Sequence, residues 1–145
     1  MRALRSMAIV VWALLLMSLV AAGTAGAVGG RPFTTQLVGA SEVPLTGDPD
    51  ASGTAHLWIN PGQGSLCWSI SVSNVDPIFA AHIHAAPAGT PGPVVVPLNP
   101  YTGGCTTVDR QLAIAILTDP SGYYVNVHNA AYPGGAARGQ LTRNP

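Results

Sequence analysis

The chain has 145 residues, a formal net charge of zero at pH 7 and only 8% charged side chains, with six Lys or Arg in all. So few cations leave no electrostatic footprint for nucleic acid or for an anionic membrane surface, and the length suits one ordinary domain. Thirteen prolines and seventeen glycines exclude long regular elements and cut the chain into short ones.

The first element is a leader. Arg2 and Arg5 precede an apolar run from Met7 to Ala22, and small residues follow at Ala25-Gly26-Ala27. This is the layout of a secretory signal peptide with an A-x-A type cleavage site. A membrane anchor is the alternative, although the run is just short of the roughly 17 to 25 residues that a spanning helix needs. With residues 1–27 as signal peptide, residues 28–145 form the working domain, which keeps four arginines against six acidic residues and no lysine. The expected location is secreted, either extracellular or in the cell envelope, with no membrane attachment after cleavage.

Phe33 to Ala40 predicts a first strand, and Glu42 to Asp50 a loop in which two prolines and Gly47 forbid regular structure. From Ala51 to Asn60, Ala55, Leu57 and Ile59 alternate with His56, Trp58 and Asn60, and Pro61-Gly62-Gln63-Gly64 turns the chain into the next strand. That strand, Ser65 to Asn74, puts Leu66, Trp68, Ile70 and Val72 on one face and Cys67, Ser69, Ser71 and Ser73 on the other, so it is half-buried and its cysteine lies on the polar side. Cys67 and Cys105 are the only cysteines. In an oxidising compartment they predict one disulfide; the alternative is a pair of thiolate metal ligands, which lack C-x-x-C spacing.

Ala80 to Ala85 predicts a strand with His82 and His84 on one face, about 6.6 to 6.8 Å apart along the backbone. Pro87 to Gly92 is a loop, and Val94 to Leu98 a short edge segment limited by its proline. Leu112, Ala113, Ile116 and Leu117 recur at helical spacing and predict a helix over Val108 to Thr118, capped by Thr107 with Asp109 and stopped by Pro120. Gly122 to Asn129 and Ala136 to Thr142 close the domain as strands joined by Tyr132-Pro133-Gly134-Gly135.

Three of the four histidines, His82, His84 and His128, can thus share one face of a β-fold. Neutral imidazoles suit copper or zinc, with Asn126 or Asp76 as orienting partners. The alternative is that the same side chains fix the Gly/Pro loop by donating to its carbonyls. Asn126 shares the face of Tyr124 and His128 and is expected to bond backbone in a neighbouring strand. Arg138 either binds an anion or pairs with Glu42 or Asp76. Asp48-Pro49-Asp50 offers calcium two carboxylates but no third, and Trp58 and Trp68 read as packing residues. His128 lies near Ser121 and Asp119 only in sequence, so no catalytic residue and no enzyme activity are expected.

The ordered motifs A-H-I-H-x-A, G-T-P-G-P-V-V-V-P-L, D-P-S-G-Y-Y-V-N-V-H-N and P-G-G-A-A-R-G-Q-L, preceded by L-V-G-A-S-E-V-P-L and D-A-S-G-T-A-H-L-W-I-N, resemble the CHRD domain, a module named for chordin. The resemblance runs from about Thr35 to Leu141. Two departures are visible, Asn129 where the family usually has threonine and Ala137 where it usually has an acid. The resemblance implies an all-β fold, an antiparallel β-sandwich or Greek-key barrel like that of superoxide dismutases or immunoglobulin-like domains, here with one short helix. It also implies an extracellular binding or structural module, without a settled biochemical activity or cofactor, whose partner is an unknown extracellular protein or cell-surface ligand.

His82-Ile83-His84 is similar to the paired copper ligands of copper-zinc superoxide dismutases, and Gly135 to Gly139 to their late arginine segment; Asn126, Arg138 and Gly139 belong to the motifs that carry the CHRD resemblance. The bridging histidine, the further zinc ligands and the cysteine beside the arginine have no counterpart in order. The metal alternative is therefore a copper or zinc site on His82, His84 and His128, and a third reading is assembly through exposed strand edges.

Overall fold

The alternation of apolar and polar residues becomes eight strands in the computed structural model, which describes residues 29–75 and 77–143. The leader expected over residues 1–27 and Asp76 lie outside the described residues. The strands are β1 (Arg31–Val38), β2 (Ser52–Asn60), β3 (Ser65–Ser73), β4 (Ile78–Ala85), β5 (Val94–Pro97), β6 (Gly103–Thr107), β7 (Tyr123–Asn129) and β8 (Ala137–Gln140), with one helix, α1 (Arg110–Thr118), between β6 and β7. All pair antiparallel in the order β5-β4-β7-β8-β1-β2-β3-β6.

The expected all-β, antiparallel architecture with one short helix is what forms, and a single curled sheet supplies both walls of the core. Phe33, Leu57 and Trp68 from β1, β2 and β3 meet Ile83, Val96, Val125 and Val127 from β4, β5 and β7 in one buried cluster. Each fully buried aliphatic side chain of this kind stabilises the fold by about 1.5 to 3 kcal/mol. In β3, Leu66, Trp68 and Ile70 are buried while Ser69, Ser71 and Ser73 face solvent, as their alternation requires.

Several boundaries differ from expectation: β1 spans Arg31–Val38 rather than Phe33 to Ala40, because a 3-10 turn takes up Gly39–Ser41, β4 begins at Ile78 rather than Ala80, β5 ends at Pro97 rather than Leu98, and β8 covers only Ala137–Gln140 of the expected Ala136 to Thr142. The helix begins at Arg110 rather than Val108, because the Asp109 carboxylate is the N-cap and accepts from the N–H groups of Gln111 (2.8 Å) and Leu112 (3.2 Å). Thr107 belongs instead to β6, a strand its Gly-Gly-Cys-Thr-Thr sequence does not announce. Pairing makes that strand: Cys105 lies directly opposite Cys67 of β3, Cα atoms 4.0 Å apart, and the two form the expected disulfide. Among the described residues no helix is long and apolar enough to cross a membrane.

The sheet also fixes where the histidines go. Ala81 and Ile83 of β4 and Val125 and Val127 of β7 turn into the core, so His82, His84, Tyr124, Asn126 and His128 project from the other face. Register places His84 beside Tyr124 and His82 beside Asn126, with Arg138 of β8 on the far side of Asn126. Loops from both ends of these strands fold over that outer face, and β7 is buried on both sides.

Candidate three-histidine metal centre

His82, His84 and His128 converge, with one ring nitrogen from each lying within 4.8 Å of the others. His84 and His128 are buried and His82 is half-buried. Two backbone carbonyls orient the cluster. His84 Nδ1–H donates to Gly92 O (2.8 Å) and His128 Nδ1–H donates to Pro133 O (3.0 Å). A carbonyl can only accept, so each Nδ1 carries a proton, and in a neutral ring the lone pair then lies on Nε2. This is the arrangement by which metal-bound histidines are usually held.

What the two lone pairs meet differs. His128 Nε2 is 3.2 Å from His82 Nδ1 and 3.1 Å from Asn126 Oδ1, while His84 Nε2 is buried and has no hydrogen-bond partner. Two nitrogens on a tetrahedral zinc with bonds of about 2.0 to 2.1 Å sit about 3.3 Å apart, close to the His82–His128 separation. Burial holds the His82 imidazole below its ordinary pKa, and its two histidine neighbours add to the effect. Burial also lowers His128, with the Pro133 carbonyl pulling up and His84 pulling down. The His82 and His128 rings are therefore biased toward the neutral form that ligates copper or zinc, and three nitrogen donors with an orphaned buried lone pair fit such an ion.

The rest of the site positions these rings. Arg138, 1% exposed, donates to Pro87 O (2.9 Å), Thr90 O (3.0 Å) and Gln140 Oε1 (3.1 Å). Its guanidinium lies 3.4 Å from the centre of the Tyr124 ring. Tyr124 stacks on His84, ring centroids 4.8 Å apart, and its hydroxyl accepts from the Gly92 N–H (3.2 Å). Gly92 is thus gripped at both its N–H and its carbonyl, and a Cβ there would lie 2.2 Å from Ala85 O. Gly139 is equally confined, since its Cβ would lie 2.3 Å from Gln36 O where β8 closes on β1.

Several expectations are corrected by these contacts. Arg138 is neither open to an anion nor ion-paired with Glu42; its donors are taken up by loop carbonyls that the fold brings over it. The Asn126 amide oxygen lies 3.1 Å from His128 Nε2 rather than against neighbouring backbone. Asp76, expected as a partner of the histidines or of Arg138, lies outside the described residues. Asp48 and Asp50 hydrogen-bond each other, which raises the Asp48 carboxyl, and among the described residues the three histidines are the one group with metal-ligand placement. The fourth histidine, His56, is exposed on β2 and bonded to Thr34 (3.0 Å).

Sequence reasoning missed the part played by Glu42 except as an acid for Arg138. It is 5% exposed, and its Oε1 has no partner. Burial raises its pKa to about 7 against the lowering pull of Arg138, a hydrogen bond from the Asn126 amide and the Val43 N–H. An acid between the small residues Gly39-Ala40-Ser41 and the apolar Val43-Pro44 was the available signal. The family described as CHRD domain has a model that matches residues 33–141. No curated protein and no solved structure matches the chain.

Proposed function

This chain belongs to the CHRD-domain family, and on that premise we propose that it is an exported binding module, not an enzyme, whose ligand is a copper or zinc ion held by His82, His84 and His128. The observation that carries the reading is the Nε2 of His84. It is buried without a partner, its ring is fixed by Gly92 O, and the other two histidines lie beside it. A buried acceptor left unpaired costs about 1 to 3 kcal/mol, an expense a purely structural histidine would not require.

The surroundings support binding rather than turnover. Arg138, in the segment similar to the late arginine segment of copper-zinc superoxide dismutases, is enclosed by Pro87, Thr90 and Gln140. His56 lies on another strand and supplies no bridge to a second metal. The structural reading of the cluster has its own support, the 3.2 Å contact between His82 and His128 that links two of the rings directly. Export rests on the leader-like sequence before residue 28 and on the disulfide; an extracellular or envelope partner protein remains part of the proposal.

Melting curves with and without one equivalent of copper or zinc test the reading. The wild-type midpoint should rise with metal, and that of His84→Ala should not respond. A wild-type protein indifferent to both metals, and free of metal when isolated from its native compartment, would overturn it.

A further inference from the structure

Asn126 stands among the three histidines. Its register partner on β4 is His82, and the alternation of β7 puts it on the same face as His128 two residues on. It is 2% exposed, and its Oδ1 lies 3.1 Å from His128 Nε2. A polar atom buried this deeply needs a complementary partner. The neighbour it has is not complementary: His128 Nδ1–H donates to Pro133 O, so the neutral ring carries a lone pair on Nε2, and an amide oxygen carries lone pairs only. Two acceptors thus face each other at hydrogen-bond distance with no proton between them.

A proton on His82 Nδ1, 3.2 Å from the same Nε2, would serve His128 and leave the oxygen as it is. A second proton on His128 would relieve the contact only by charging a ring that burial disfavours in charged form. A metal cation removes the conflict, because it takes the lone pairs of both atoms. His128 Nε2 is then one corner shared by two ligand edges, 3.2 Å to His82 Nδ1 and 3.1 Å to Asn126 Oδ1. Donor atoms on a tetrahedral zinc sit about 3.3 Å apart. With the buried, unpartnered Nε2 of His84, three imidazole nitrogens and one amide oxygen make a complete four-coordinate donor set.

We propose that Asn126 is the fourth ligand, its Oδ1 closing the three-histidine site around a zinc ion in the position that a water would otherwise take. This assignment rests on the metal-binding reading and completes its donor set. Catalytic zinc keeps one position open for water or substrate, whereas a site closed by four protein ligands holds the ion without turning anything over. A fourth protein ligand is therefore the feature that makes this a holding site. It also gives the buried amide a task that neither packing nor backbone pairing supplies.

Cobalt(II), a spectroscopic stand-in for zinc, tests the closed site on the full chain. The wild-type cobalt form should show the intense visible bands of four-coordinate cobalt and should not change when azide is added, because no position is open to it. Asn126→Leu keeps the size of the side chain and removes the oxygen. It should bind zinc about 10- to 100-fold more weakly in a chelator competition, and its cobalt bands should shift with azide. Asn126→Asp keeps an oxygen but has no NH2, so it should hold zinc at least as tightly as wild type and stay indifferent to azide. Wild-type cobalt bands that shift with azide would overturn the fourth ligand while leaving the three-histidine site standing, and this arm needs no variant to fold. A loss of affinity in Asn126→Asp as large as in Asn126→Leu would also overturn it, since the amide would then act through its NH2 as an orienting group. Uptake of neither cobalt nor zinc by wild type would overturn the fourth ligand and the metal-binding reading together.

Discussion

His84 Nδ1 and the carbonyl oxygen of Gly92 lie 2.8 Å apart, and this one contact decides which nitrogen of His84 is left to bind. It joins a strand residue to the tip of a Gly/Pro loop eight positions on, so the loop is part of the ligand geometry. The same loop is fastened from the opposite end of the chain by Arg138.

Gly92→Ala should therefore act on the site through the backbone. Its Cβ would meet Ala85 O at 2.2 Å and Ala86 Cβ at 2.8 Å, so the loop must shift and His84 loses its anchor. The expected outcome is a loss of about 1 to 3 kcal/mol in denaturant unfolding, with weaker copper or zinc binding by calorimetry. Unchanged affinity would show that the Gly92 carbonyl does not orient His84.

Arg138→Ala should be more damaging, because it leaves two loop carbonyls and the Gln140 amide oxygen without their donor and removes the cation over Tyr124. A loss of roughly 3 kcal/mol or more is expected. Arg138→Lys should recover only part, since an ammonium keeps the charge but lacks the planar fork that reaches several acceptors. Unfolding curves of the two variants check both statements.

The dependence of stability on pH should show two opposed contributions. His82 and His128 titrate lower in the folded chain than their ordinary value of 6.5, so their contribution is present above about pH 6.5 and lost as pH falls through and below it. Glu42 titrates higher when folded, about 7 against 4.5, so its contribution is full below about pH 4.5 and lost as pH rises toward 7. Melting temperatures of metal-free wild type and Glu42→Gln from pH 4.5 to 8 should diverge, the variant gaining relative to wild type with rising pH. A difference that stays constant over that range would contradict the assignment to Glu42.

Replacing Cys67 and Cys105 by serine should lower stability by at most about 4 kcal/mol, the chain-entropy value for residues 38 apart. The loss should be local in its dynamics. β6 lies at the sheet edge and pairs only with β3, so amide exchange should quicken there first while β2 and the inner part of β3 stay protected.

The strand faces were legible in the sequence because period two follows from the backbone alone. Ala55, Leu57 and Ile59 point inward, His82 and His84 point together, and the two cysteines had each other as partners. The resemblance carried the family and the expectation of an antiparallel all-β domain. β6 was not legible, since glycine and threonine carry no apolar alternation and that strand exists through its pairing with β3. The environment of Arg138 was not legible either: its acceptors lie 48 and 51 residues away in a loop without regular structure, and an acid seemed the natural partner for a cation. Glu42 likewise reads as a surface loop acid until the fold closes Gly47, Gly135 and Asn126 around it. What the sequence by itself determined was the direction of each side chain relative to its own strand, a local property of covalent geometry. Which loop covers which face, and therefore which nitrogen is capped and which carboxyl loses its water, was decided only by tertiary structure, because desolvation and hydrogen-bond partners come from residues far apart in the chain.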